Sequence, residues 1–125
     1  MMRRPPRPYN ALREARKKLG LTQQELAGIL DVARTTINTA ESGMPKNWMI
    51  LACLGLANLK MLDLRPKVIT GSELKIQRER LGFSPDELAH RLGFVAQTII
   101  AWERKSPPNW MYLALIGLAA QLFIA

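Results

Sequence analysis

The sequence predicts an all-α protein that consists of a tandem repeat of two four-helix units. Residues 11–63 align with residues 73–125 without a gap, and 20 of these 53 positions are identical. Apolar side chains recur at helical spacing, as at Leu26, Ala27 and Leu30, and no segment alternates between apolar and polar residues over a strand's length. An ungapped internal match of this extent indicates two copies of one structural unit, and we expect no sheet.

The repeat divides the chain into four parts. Arg65-Pro66 lies between the two copies, and proline is typical of a break between helices. We predict a basic N-terminal arm at residues 1–9, a first unit at residues 10–62, a linker at residues 63–71 and a second unit at residues 72–125.

Start and stop signals place four helices in the first copy. Gly20 suits the left-handed residue that often ends a helix, and Thr22 and Glu25 have the spacing of a capping box. A short break follows the second helix, and Pro45 marks the next break. The predicted helices cover about residues 10–19, begin at about residue 22, cover about residues 34–42, and begin near residue 47.

The second copy carries the same signals at equivalent positions. Its first helix is expected at about residues 72–81, where Thr70 and Glu73 have the spacing of a capping box. Ser84 opens the next helix with the same spacing and is followed by proline, whose missing N–H costs nothing at the first helical position. The last helix is expected to begin near residue 109.

The chain is strongly basic, with a formal net charge of +8 over 125 residues and an isoelectric point near 10.3. A protein this basic usually meets an anionic partner, and nucleic acid is the commonest. The alternative is that the charge only keeps the protein in solution. Residues 1–66 carry a net charge of +6 and residues 67–125 carry +2, so the first half is the better candidate for such a partner.

The residue types argue against several classes of function. One histidine, one cysteine, no metal-ligand spacing, no phosphate-binding glycine loop and no nucleophile elbow do not assemble a catalytic site. We therefore expect no enzyme, no cofactor and no bound metal. Cys53 lies among apolar residues and is interpreted as a reduced core thiol. The apolar stretches 48–59 and 110–125 are shorter than the roughly 20 residues of a membrane-spanning helix, so we expect a cytoplasmic protein without membrane contact.

One ordered set of residues occurs in both copies. The first copy has Arg16-x-x-Leu19-Gly20-Leu21-Thr22-Gln23-x-Glu25-Leu26-Ala27-x-x-Leu30, then Val32, Thr36-Ile37 and Glu41-x-Gly43. The second copy has Arg78-x-x-Leu81-Gly82-Phe83-Ser84-x-x-Glu87-Leu88-Ala89-x-x-Leu92-Gly93, then Thr98-Ile99 and Trp102-Glu103. This set resembles the lambda-repressor-like, or XRE-type, helix-turn-helix family. The resemblance implies two tandem four-helix lambda-repressor-like helix-turn-helix units in a protein of a bacterial or phage nucleoid.

The resemblance also implies roles for individual residues. The family reads bases from the exposed face of its third helix and contacts phosphates at the start of its second. Arginine can bond guanine and asparagine can bond adenine, whereas threonine can bond a base or touch a thymine methyl. The alternative for these positions is an ordinary solvated helix face. The implied base-reading residues are Arg34, Thr35, Asn38 and Thr39, the implied phosphate contacts are Thr22 and Gln23, and the implied structural ion pairs are Arg16–Glu41 and Arg78–Glu103.

The second copy has a less polar reading face. Its equivalent positions are Ala96, Gln97, Ile100 and Ala101, of which only Gln97 can hydrogen-bond a base edge. This face either touches thymine methyl groups or packs against the first copy or another subunit. We expect the first copy to be the main reader. If both copies dock, their half-sites should lie about 10 bp apart and should not form a perfect palindrome.

Basic residues outside the third helix are further candidates for the DNA backbone. One interpretation of Arg3, Arg4 and Arg7 in the arm is contact with DNA, in a minor groove or on phosphates. The alternative is a tail that does not bind DNA. Lys17 and Lys18 either touch the backbone or face water.

The fourth helix of each copy is apolar on almost every side, so it should be buried on every side. Part of this surface is expected to pack between the copies, across a homodimer, or against a partner regulator. Trp48 and Trp110 either anchor such a contact or fill the core of their own unit.

These observations predict a sequence-specific DNA-binding transcriptional regulator, a repressor that reads double-stranded DNA through the first unit. The alternative is a protein-interaction module, resembling an anti-activator or an antitoxin, that uses the scaffold without specific DNA reading. The apolar face of the second copy supports the alternative, whereas the polar face at residues 34–39 and the basic arm oppose it.

Overall fold

The structure is a computed structural model that describes residues 9–124, and in this range its regular elements are eight α-helices without a strand. The predicted all-α class is therefore confirmed. The helices are α1 Ala11–Lys18, α2 Gln23–Leu30, α3 Arg34–Ser42, α4 Asn47–Met61, α5 Gly71–Arg80, α6 Pro85–Leu92, α7 Ala96–Arg104 and α8 Met111–Ile124.

Side-chain caps are present at the starts of α1, α2, α5 and α6, whereas α3, α4 and α7 begin without one. The Thr22 hydroxyl accepts a hydrogen bond from the Glu25 amide, and the Glu25 carboxylate accepts one from the Thr22 amide, which completes a capping box. Ser84 and Glu87 form the same box at α6. At α5 the Thr70 hydroxyl accepts from the Glu73 amide but donates to the Glu73 carboxylate at 3.3 Å, so the expected reciprocal bond is replaced.

The starts of α1, α2 and α5 lie within one residue of the expectation, and α5 begins at Gly71 because Thr70 is its N-cap. The start of α8 is displaced further. It begins at Met111 rather than near residue 109, because the Met111 amide donates to the Pro108 carbonyl in a turn that precedes the helix. The side chain of Asn109 is engaged elsewhere, in a hydrogen bond to Asp31.

Each half of the chain buries its own apolar residues around a crossed pair of helices. The pair α2–α3 packs with α1, and the pair α6–α7 packs with α5. Four fully buried side chains of the first half have fully buried counterparts 62 residues later. They are Leu12, Leu26, Leu30 and Ile37 in the first half and Leu74, Leu88, Leu92 and Ile99 in the second.

The two halves meet through α4 and α8, which pack against each other within the chain. The rings of Trp48 and Trp110 stack with centroids 4.1 Å apart. The backbones approach closely where Gly55 faces Leu113 and where Gly117 faces Leu51. The approach is so close that a side chain on either glycine would overlap the opposite carbonyl oxygen. The faces that α4 and α8 turn toward each other are therefore covered within one chain. A homodimer or a partner regulator bound through these helices stays a prediction.

None of the helices in residues 9–124 has the length and apolar character needed to cross a membrane. In the same range, no group of three or more histidine, cysteine or acidic side chains is arranged to hold a metal ion.

We predict that Gly55→Ala destabilises the protein by roughly 2 kcal/mol or more, because the added methyl group forces the backbones of α4 and α8 apart. Gly28→Ala is the matched control. Gly28 is an exposed glycine within α2 with open space where a methyl group would lie, so its replacement should stabilise the protein by about 0.5–1 kcal/mol. Urea denaturation measures both values, and equal effects of the two substitutions would contradict the close packing described here.

Candidate nucleic-acid interface

The helix α3 has one buried side and one polar, exposed side. Ile37 is fully buried and Ala40 nearly so, because they lie three residues apart on the side that faces the core. The opposite side carries a contiguous polar surface, which we call the α3 face. It consists of the exposed residues Arg34, Thr35, Asn38 and Thr39, all four of which were predicted from the sequence.

A bidentate ion pair joins the C-terminal half of α3 to α1. The Arg16 Nε lies 2.7 Å from one carboxylate oxygen of Glu41, and its Nη2 lies 2.9 Å from the other. The third nitrogen of the guanidinium donates to the carbonyl of Leu21, in the turn before α2. One planar group therefore connects α1, the turn and α3, which restricts the rotation of α3 about its own axis.

Gln23 has a second role besides the one predicted for it. Its side-chain amide donates to the Glu41 carboxylate at 3.2 Å and, through a long bond of 3.4 Å, to the side-chain oxygen of Asn38. The sequence predicted a phosphate contact, which stays a prediction. The structure places this amide between the partly buried ion pair and the α3 face, where it helps to orient Asn38.

Asn10, where the sequence predicts only the start of the first helix, also positions α3. Its side-chain oxygen caps α1 by accepting from the Arg13 amide. Its side-chain nitrogen donates to the carbonyls of Ala40 and Gly43 at 3.0 and 3.1 Å, where α3 ends. The capping half of this role has a local signal in the sequence, whereas the bonds to α3 span at least 30 residues and have none.

The structure describes some of the other predicted DNA contacts of the first half, whereas the arm residues lie outside the described range. Lys17 and Lys18 are exposed in the last turn of α1, and Thr22 is exposed as the N-cap of α2. The arm residues Arg3, Arg4 and Arg7 lie outside the described residues. The first described residue, Tyr9, is 80% exposed and lines a shallow groove together with Asn38, so the chain enters the first half beside the α3 face.

The equivalent side of α7 is exposed but largely apolar. Gln97, Ile100 and Ala101 are exposed, whereas Ile99 is fully buried. Arg78 and Glu103 form the ion pair predicted for this half, with a shortest N–O distance of 2.7 Å. Pro85 stands where α2 has Gln23, so the amide that bonds Glu41 and Asn38 in the first half has no counterpart.

Burial and hydrogen bonding shift two acidic groups near α3 in opposite directions. Partial burial by itself would raise the pKa of Glu41, but the hydrogen bonds from Arg16 and Gln23 and the guanidinium charge outweigh it, so that pKa is lowered. Burial raises the pKa of the Cys53 thiol to about 12, so this cysteine stays protonated and unreactive at neutral pH.

One comparison with known proteins finds a match in the first half. A family model described as helix-turn-helix matches residues 12–47, which span α1 from its second residue to the start of α4. The match covers well under half of the chain. This family consists of DNA-binding regulators of the XRE type rather than enzymes, so the similarity supports a DNA-binding transcription regulator. No curated protein and no solved structure matches the chain.

We predict that acid destabilises the protein partly through Glu41. Because the folded-state pKa of Glu41 is lowered, its stabilising contribution is present above the unfolded-state value of about 4.3 and is lost as the pH falls through the folded-state value. In Glu41→Gln the free energy of unfolding should therefore fall less steeply below about pH 4.3 than in the wild type.

The control for this experiment is Glu79→Gln, which makes the same change in net charge at an exposed carboxylate of α5, where the charge acts on Arg78 through space. Denaturant titrations at a series of pH values supply the comparison. If Glu41→Gln and Glu79→Gln show the same pH dependence, the ion pair with Arg16 does not stabilise the folded state as described.

Proposed function

We propose that the protein is a sequence-specific DNA-binding transcriptional regulator that reads double-stranded DNA mainly through the α3 face and acts as a repressor. The observation that carries this proposal is the contrast between the two sides of α3. The inner side is held by Arg16, Gln23 and Asn10, whereas the α3 face exposes four polar side chains. A helix held in this way can enter a major groove about 12 Å wide without losing its orientation.

The residue types of the α3 face match the chemistry of base edges. Arg34 can donate two hydrogen bonds to guanine, and Asn38 can form two with adenine. Thr35 and Thr39 can bond a base or touch a thymine methyl group. Gln23 bonds Asn38 from the side of α2, so it reduces the rotational freedom that Asn38 loses on binding.

Contacts to phosphates would set the register of the α3 face on the duplex. Thr22 and Gln23 lie at the N-terminal end of α2, where backbone N–H groups favour an anion. Lys17 and Lys18 add exposed positive charge, and the arm that carries Arg3, Arg4 and Arg7 joins the described chain beside Asn38. A protein that covers a promoter through these contacts would exclude the polymerase, which is the basis for a repressor.

One observation favours a second candidate, a protein-interaction module of the anti-activator or antitoxin type. The surface around α7 exposes Val95 to 61% and Ile100 to 38%, and such side chains suit a protein partner. A specific DNA reader loses affinity steeply with salt and still prefers one sequence, whereas an interaction module would bind DNA weakly and without preference. Selection from random duplexes, followed by affinity measurements over a range of salt concentrations, separates the two functions.

We predict that Arg34→Ala weakens binding to the selected duplex by about 1–3 kcal/mol and relaxes the preference at one base position. Arg65→Ala is the matched control, because it removes the same exposed charge outside the helices. Selection experiments on both variants test the prediction. If Arg34→Ala selects the same sequences as the wild type with equal affinity, the α3 face does not read bases.

A further inference from the structure

The contacts between α4 and α8 are reciprocal. Trp48 stacks on Trp110, and these two residues occupy equivalent positions of the repeat. Gly55 faces the backbone of Leu113, and Gly117 faces the backbone of Leu51, so the second contact repeats the first with the two halves exchanged. Such an exchange of partners is the property of an interface with two-fold symmetry.

Further contacts between the halves surround this interface. Asn109, just before α8, donates to the carboxylate of Asp31 at 2.9 Å, and Asp31 ends α2 in a left-handed conformation. Phe94, in the turn before α7, stacks on Trp110 at 6.0 Å. The turns that precede α3 and α7 therefore both adjoin the contact between α4 and α8.

We propose that the single chain does what a symmetric dimer of helix-turn-helix proteins does, with α4 and α8 as its internal interface, and that α7 docks on the same duplex as α3. This inference rests on the proposed function of the α3 face. A two-fold relation between two such helices is the arrangement found in dimers that bind half-sites about one helical turn apart. One chain would then cover two half-sites.

The chemistry of α7 indicates what its half-site supplies. Gln97 is the polar side chain at its reading positions, whereas Ile100 and Ala101 offer apolar contact to thymine methyl groups. At its C-terminal end α7 adds the exposed pair Arg104 and Lys105.

These two basic residues stand at the positions that Ser42, the last residue of α3, and Gly43, its C-cap, occupy in the first half. The second half therefore has fewer groups for reading bases than the first half and more positive charge at this end for phosphates. Its half-site is bound mainly through the backbone and tolerates sequence changes that the first half-site does not.

Stoichiometry and footprint length test the inference on the full chain. One duplex selected by the wild-type protein is titrated, the mass of the complex is measured by analytical ultracentrifugation, and the protected bases are mapped. We expect one chain per duplex and protection over about two helical turns, with strict sequence preference in one half only. Two chains per duplex, or protection of a single half-site by one chain, would overturn the inference.

A pair of double variants tests α7 directly. Arg104→Ala/Lys105→Ala should weaken binding about tenfold or more and reduce the slope of log affinity against log salt by roughly 2. The control, Arg65→Ala/Lys67→Ala, removes two exposed charges from the segment between α4 and α5 and should leave the footprint unchanged. Far-ultraviolet circular dichroism and urea denaturation show whether both variants are folded like the wild type.

Ile100→Glu adds a variant that does not depend on the lost positive charges. It places a carboxylate on the exposed face of α7 and should abolish protection of the second half-site while the first half-site stays protected. Suppose that the wild type prefers one duplex and that Arg34→Ala weakens binding to this duplex. If all α7 variants then bind like their control, only this inference fails. If the wild type prefers no duplex, the proposed function itself fails.

Discussion

The close packing of α4 on α8 is the constraint on which the rest of the structure depends. Both helices are apolar on nearly every side, so neither can be covered by the three short helices of its own half. Gly55 and Gly117 lack the side chains that would separate the two backbones, and Trp48 stacks on Trp110 at the N-terminal end of the same interface. The apolar surface of α4 is thereby covered by α8, and that of α8 by α4.

This packing does not cover the α3 face, which stays exposed. The core residues of α3 are satisfied from within its own half, and the ion pair of Arg16 with Glu41 fixes its rotation. A partly buried pair of this kind contributes orientation more than net stability, because burial of two charges offsets much of their attraction. Gln23 hydrogen-bonds both Glu41 and Asn38. The orientation of Asn38 on the α3 face therefore depends on the same contacts that hold the ion pair.

Local signals in the sequence predicted the helices well, and the predictions were least accurate where tertiary contacts compete with those signals. The capping residues Thr22 and Ser84 and the span of α3 are found as expected. The start of α8 differs because Asn109, which could have begun the helix, lies in a turn and bonds Asp31 across 78 residues of chain. The second bond of Asn10, to the end of α3, has no local signature for the same reason.

The sequence by itself determined the helical class, the capping residues and the polar character of the α3 face, because each depends on residues within a few positions of one another. The tertiary structure alone decided that α4 and α8 cover each other within one chain, that Gln23 bonds Glu41 and Asn38, and that the described chain begins beside α3. These features join residues distant in sequence. Periodicity can show that a helix face must be covered, but the partner that covers it depends on how all the helices pack together.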